Sequence, residues 1–267
     1  MHANNPFLKQ VWLVFERKVL NLPSVMAGET FRFKKFSIQH DRSSMRVGTD
    51  AVLLGAWVDV QALDADVNAK VLDIGCGCGV ISLMVAQRCP HAHVLGIDID
   101  EPSIEEATEN ALQSPFAHRL LFRLADVRQF ATEPACERFD LVLCNPPYYT
   151  EDTLAPEPRR SMARNTLHLS FGALVDSVCH IMAEHGTFAL IIPMQARDVF
   201  VGEAISKGLH ISRECRVQTV QRKPPKRVML EFRFNPADHF TLSSLTLQDP
   251  NGSRTKEYSF LCKDFYL

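Results

Sequence analysis

Along this chain of 267 residues, apolar positions fall into short blocks that recur with a steady rhythm. Lys70–Ile74, His93–Asp98, residues 119–124 and Phe139–Cys144 are strand-length runs, apolar over most of their length. Strands buried on both faces read this way. Helical spacing fills the gaps, from the glycines at 75–79 to about Cys89 and again over Glu101–Leu112. Strand and helix in alternation predict an α/β fold with a parallel sheet and right-handed crossovers. Further on, 169–183 reads as an amphipathic helix with Gly186 capping its end, 187–192 as another buried strand, and 195–207 as a helix before Gly208. Two long strands are expected over 209–217 and 227–234, and short strand-like pieces at 240–247 and 258–261. Upstream, alternation over 31–38 predicts a small hairpin, and Thr49 or Asp50 is placed to cap a helix over 51–57.

The first 28 residues do not share this pattern. They suit a short amphipathic helix or an extension, and Met26 is a candidate true start. The expected organisation is an extension over 1–28 and a single domain over 29–267 with the hairpin at its front. No internal repeat or linker divides it.

Composition removes several classes. Hydrophobic residues at 46% and charged residues at 22% are ordinary for a globular protein. A formal net charge of -2 supplies no global field for a polyanion, so any nucleic-acid contact must come from local basic patches. The eight cysteines are scattered, several within apolar runs, which predicts reduced thiols in a cytoplasmic protein. Cys76-Gly77-Cys78 lacks the spacing and the second pair of a zinc site, so no metal is expected. No run spans a bilayer, and the apolar residues 11–15 are too few for a secretory leader.

Candidate chemistry gathers at the strand ends. The run Phe139–Cys144 stops in Asn145-Pro146-Pro147-Tyr148. Two prolines end a strand ladder and stiffen the elbow. An elbow at a strand's carboxyl end lies where open α/β sheets bind ligands. The Asn145 side-chain oxygen and the Pro146 carbonyl are acceptors. Together they suit the two N–H bonds of an exocyclic amine, whose lone pair must be freed from its ring before it can attack. Tyr148 suits stacking on a flat base. The same residues also suit a plain polar turn.

Asp73-Ile74-Gly75-Cys76-Gly77-Cys78-Gly79 follows a buried strand. It is a close-approach loop, but its third glycine comes one residue early for the dinucleotide fingerprint, which argues against a dehydrogenase. Asp73 suits a ligand bearing an ammonium rather than a pyrophosphate. Asp98, about 25 residues on, has the spacing of a carboxylate that grips ribose hydroxyls. Asp126, after the third strand, suits either an adenine amino group or a helix cap. Thr49 and Asp50 suit a cap or the amino-acid end of a ligand.

These motifs resemble the class I S-adenosylmethionine-dependent methyltransferases over roughly residues 30 to 265. The resemblance implies a Rossmann-like fold: a mostly parallel seven-stranded sheet with an antiparallel C-terminal hairpin. It assigns S-adenosylmethionine to Asp73, Gly75, Gly77, Gly79, Asp98 and Asp126, with Thr49 and Asp50 nearby. Asn145, Pro146 and Tyr148 become the catalytic elbow of amino-methyltransferases. Within that class the chain resembles the bacterial tRNA1(Val) adenine-N6 methyltransferases. That likeness rests on residues 31–36, on His40-Asp41-Arg42, on residues 46–57, on Arg160 and Ala163-Arg164, and on Phe265-Tyr266-Leu267. It implies N6-methylation of adenine 37 in tRNA; a monomer is expected in preference to an oligomer. Arg32, Lys34, Lys35, Arg159, Arg160, Arg164, Arg222, Lys223, Lys226 and Arg227 would then grip tRNA phosphates, or else lie on solvated loops. Glutamine N5-methylation of a release factor and adenine methylation of DNA use the same elbow and remain alternatives. The first lacks its usual helical N-terminal domain here, and the second its target-recognition domain.

Overall fold

A computed structural model describes residues 30–64, 66, 68–134, 136–146 and 169–267. The readings made for residues 1–28 therefore lie outside the described residues. A hairpin of β1 (Thr30–Arg32) and β2 (Ser37–Gln39) leads to helix α1 (Thr49–Trp57) and a short turn of helix, α2 (Gln61–Asp64). The alternating core follows: β3 (Lys70–Ile74), α3 (Val80–Arg88), β4 (His93–Asp98), α4 (Glu101–Leu112), β5 (Leu120–Leu124), α5 (Val127–Phe130) and β6 (Phe139–Cys144). After the undescribed segment come α6 (Phe171–Ile181), β7 (Met182–Pro193), α7 (Arg197–Ser206), β8 (His210–Val220), β9 (Arg227–Arg233), β10 (Thr241–Gln248) and α8 (Lys256–Leu261).

The main sheet runs β10-β8-β9-β7-β6-β3-β4-β5. Every neighbouring pair is parallel except those of β9, which is antiparallel to both β7 and β8. The mostly parallel sheet with an antiparallel β8–β9 hairpin is as expected. The strand number is not: β10 makes an eighth strand, parallel to β8. Its half-polar sequence, TLSSLTLQ, suits an edge that meets water.

Successive side chains of each central strand enter opposite layers, as a two-residue period requires. Val71, Val94 and Leu141 pack into a core with α1, α3 and α4, whereas Leu72, Leu95 and Val142 pack with α5, α6 and α7. Leu72 is fully buried, so truncating it to alanine costs about 2–5 kcal/mol. No helix among the described residues is long and apolar enough to cross a membrane. All eight cysteines are thiols, and six are buried.

Three local expectations fail. Gly48 is the N-cap of α1, so Thr49 and Asp50 lie in its first turn instead of capping it. Gly186 does not cap α6, which ends at Ile181. It lies inside β7, where an added Cβ would come within 2.9 Å of the carbonyl oxygens of Ala183 and Phe139, beside a shift in the β6–β7 register. Residues 258–261 are helical, because Thr255 Oγ1 accepts from the Tyr258 amide at 3.2 Å and starts α8.

Candidate functional site at the carboxyl rim of the sheet

Register alone brings the expected site residues together. Ile74 pairs with both Cys144 and Ile97, and Asp98 pairs with Leu124. One residue beyond these pairs, Gly75, Asn145 and Ala125 emerge on one edge of the sheet. Neighbouring strands lie about 4.8 Å apart, so Asn145 begins one strand spacing from the glycine loop.

The loop is held from beneath. Gly75 and Cys76 donate their amides to the Ile97 carbonyl at 2.9 and 3.1 Å. The Gly77 amide donates to Asp98 Oδ2 at 2.9 Å, while Asp98 Oδ1 accepts from the Asp100 amide at 3.0 Å. Gly75 and Gly77 have φ of 67° and 52°, and a Cβ on either would meet nothing within 4 Å. The loop therefore borders open space on the side where a ligand would lie. Gly79 differs: at φ 82° its missing side chain lets the Phe122 ring approach.

The three rim carboxylates have different environments. Asp73 is fully buried, and its Oδ2 accepts from the Ser82 amide at 3.1 Å and the Ser82 hydroxyl at 2.7 Å. Its Oδ1 has no hydrogen-bond partner. Burial pushes the Asp73 carboxyl up to about 6, against the lowering effect of the Ser82 bonds. Asp98 is also raised, chiefly by burial. Asp126 is lowered by its hydrogen bonds with the Arg128 side chain, and it caps α5 by accepting from the Arg128 amide at 2.9 Å. Of the two roles open to Asp126 from sequence, the cap is present.

At the elbow, Asn145 is half-buried and Pro146 buried. Burial pushes the Cys144 thiol far above its ordinary range, and the charges of Asp73 and Asp98 push the same way. Pro147, Tyr148, Arg159, Arg160 and Arg164 lie outside the described residues. Two apolar side chains that sequence reading missed stand on the same rim: Ile99, 57% exposed beside Asp98, and Leu124, 49% exposed before Asp126. An apolar residue next to a strand-end acid was the available signal.

The basic groups separate. Arg222, Lys223 and Lys226 are exposed on the turn from β8 to β9. Since β8 runs parallel to β6 and β7, this turn lies at the rim, and the Met194 amide after β7 bonds the Lys226 carbonyl at 3.0 Å. Arg227 Nε donates to Asp50 Oδ2 at 2.7 Å, so two residues expected to serve different ligands are joined to each other. Arg32, Lys34 and Lys35 are not brought to the rim. Their hairpin packs Phe36 on Phe116, just before β5 begins, and Lys34 Nζ donates to the Lys263 carbonyl at 2.6 Å. At that same far end, where α1 and α3 finish, a cavity of about 440 Å³ is lined by Trp57, Arg88, Ser244, Phe260 and Lys263 among others, away from all the rim carboxylates. Among the described residues, no group of three or more His, Cys, Asp or Glu is gathered for a metal ion.

The chain resembles known proteins in sequence and in fold. A family model described as "Methyltransferase domain" matches residues 65–227. A Phocaeicola vulgatus protein named tRNA1(Val) (adenine(37)-N6)-methyltransferase is 40% identical over 243 residues, 91% of this chain and 99% of its own length. A Bacteroides fragilis protein of the same name is 37% identical over 242 residues, with the same coverage of both chains. The solved structure of a predicted O-methyltransferase from Agrobacterium tumefaciens superposes with a TM-score of 0.59 at 19% identity, over 81% of this chain and 96% of that one, which speaks to the fold alone. The chain belongs to the family of the tRNA1(Val) (adenine(37)-N6)-methyltransferases.

Proposed function

We propose that this protein methylates the exocyclic N6 of an adenine in tRNA, position 37 of tRNA1(Val), with S-adenosylmethionine as donor. One observation carries the reading: the Ile74–Cys144 register, which sets the Asn145 elbow beside a glycine loop open to ligand. When bound, S-adenosylmethionine supplies a methyl group on a positively charged sulfur.

The residues present fit that donor. The unpartnered Oδ1 of Asp73 is a buried acceptor short of one donor, as an ammonium would provide. Asp98 presents a carboxylate for ribose hydroxyls, and Ile99 and Leu124 offer exposed apolar surface to a flat base. Asp126 stands at the adenine end while it caps α5. Gly75 and Gly77 let the backbone come close, Gly79 ends the same loop against the Phe122 ring, and Thr49 and Asp50 are assigned to the amino-acid end of the donor.

At the elbow, the Asn145 side-chain oxygen and the Pro146 carbonyl accept the two N–H bonds of the adenine amine and draw its nitrogen out of conjugation. Tyr148 stacks on the base once it has left its own stack. Positioning makes the main contribution, since aligning two reactants is worth several kcal/mol. Cys144 forms no covalent intermediate, because a thiol held this far above its usual range stays protonated. Arg222, Lys223 and Lys226 meet tRNA phosphates, with Arg159, Arg160 and Arg164 as further candidates. The protein acts as a monomer in the cytoplasm. Incubating purified protein with labelled S-adenosylmethionine and total RNA lacking the modification, then mapping the labelled nucleotide, tests the reaction and the position it acts on. Label on a protein glutamine or on DNA instead of RNA would overturn it.

A further inference from the structure

From the last residue of β2 to the start of α1 the chain climbs the flank of α4 as a strap, residues 39–48, and two buried side chains of that helix hold it there. Glu106 is 1% exposed. Its Oε1 accepts from the amides of Asp41 and Arg42 at 2.9 and 3.0 Å, and its Oε2 from the amide of Ser43 at 2.9 Å. Three consecutive amides thus close on one carboxylate, as they would in an anion-binding turn. One turn further along, Asn110 is also 1% exposed. Its Oδ1 accepts from the Gln39 amide at 2.9 Å, and its Nδ2 donates to the Gln39 carbonyl and to the Cys78 carbonyl, each at 2.9 Å. Cys78 belongs to the glycine loop. Asn110 therefore joins the strap directly to the loop, and the strap continues past Ser44, whose amide meets Ser103 Oγ at 3.4 Å in the first turn of α4.

We infer that Glu106 and Asn110 are positioning residues for the methyl donor: they fix the strap against the glycine loop so that the two form a single preset wall of the donor pocket. The inference rests on the reading of the glycine loop given under Proposed function. Its chemistry is that of preorganisation. A loop already held in its binding shape does not have to be ordered by the ligand, so affinity depends on the hold. Once the donor is bound, Asn145 and the amine are unaffected, so the chemical step does not depend on the hold.

The test uses the full chain, with S-adenosylhomocysteine binding by calorimetry and S-adenosylmethionine kinetics on a tRNA transcript. Glu106→Ala and Asn110→Ala are expected to raise the Kd for S-adenosylhomocysteine and the KM for S-adenosylmethionine about tenfold, with kcat at saturating donor within about twofold of wild type. Glu106→Gln retains one acceptor oxygen and is expected to fall between wild type and Glu106→Ala. Hydrogen exchange at the amides of Asp41, Arg42 and Ser43 should quicken in both Glu106 variants. Wild-type affinity in folded Asn110→Ala and Glu106→Gln would overturn the inference, as would a fall in kcat with KM unchanged. If Glu106→Ala does not fold, those two variants decide. A wild-type protein that binds no S-adenosylhomocysteine would remove the reading of the loop, and the inference with it.

Discussion

Asp73 and Asp126 stand near the carboxyl ends of parallel strands in the same sheet, yet their side chains are in opposite situations. Asp126 is committed: it caps α5, pairs with Arg128, and is held below the usual carboxylate range. Asp73 is buried with one oxygen bonded to Ser82 and the other without a partner, and it is held well above that range. A saturated carboxylate is explained by the fold around it. A buried carboxylate short of a partner costs stability, and the fold gains nothing from it. The same contrast divides the cations. Arg227 is engaged with Asp50, whereas Arg222, Lys223 and Lys226 are exposed at the rim.

The largest expected effect separates chemistry from binding. Asn145→Ala should lower kcat by about 100-fold or more, the scale of losing one preorganised polar contact to a reacting group, with donor affinity unchanged. Equal turnover in that variant would refute the role given to the elbow.

Next, the two acids should part. Asp73→Asn is expected to weaken S-adenosylhomocysteine binding by about 10- to 100-fold, and Asp126→Ala by no more than about threefold, while loss of the α5 cap costs about 1 kcal/mol of stability. Equal effects on binding would erase the contrast.

The pH dependence sharpens it further. Burial holds the Asp73 carboxyl at about 6 in the fold, well above the ordinary carboxylate range. Below pH 6 it takes up a proton and can no longer pair with an ammonium, so affinity should fall about tenfold per pH unit there. In the unliganded protein the sign is opposite. The folded state keeps this proton to higher pH than the unfolded chain, so its cost to stability grows as pH rises from about 4 to 6 and is full above that. Asp73→Asn should therefore stabilise the free protein by up to about 3 kcal/mol at pH 8 and by little at pH 4 in denaturant titrations.

The smallest effects concern the cations. Replacing Arg222, Lys223 and Lys226 by alanine should reduce the slope of log K for tRNA against log salt by about one per residue. Arg227→Ala should act mainly on thermal stability through Asp50. Arg32→Ala and Lys35→Ala should leave tRNA affinity unchanged.

Much of this was legible in the residues themselves. The strand–helix alternation and the run of Glu101–Leu112 follow from local periodicity, and Asp73, Asp98 and Asn145 from their places at the ends of apolar runs. Context decided the rest. Tyr258 and Phe260 favour a strand by type, but the Thr255 cap starts a helix under them. Gly186 has the look of a stop signal, and only the approach of neighbouring carbonyls shows that it serves β7. Glu106 and Asn110 resemble ordinary helix residues, because their partners lie 63 to 71 positions away for the strap and 32 for Cys78.

The direction of β9 has a consequence for how the molecule is made. Among the described residues, β8 finds its sheet partners in β9 and β10, both later in the chain, and β9 must slip between β7 and β8. A growing chain on the ribosome therefore carries β8 unpaired until residue 233 has emerged. The turn bearing Arg222 and Lys223 reaches its place on the rim that also carries Asn145 at that same moment, so the RNA contact proposed for it would form late in synthesis, after the strands β3 and β4 have been made.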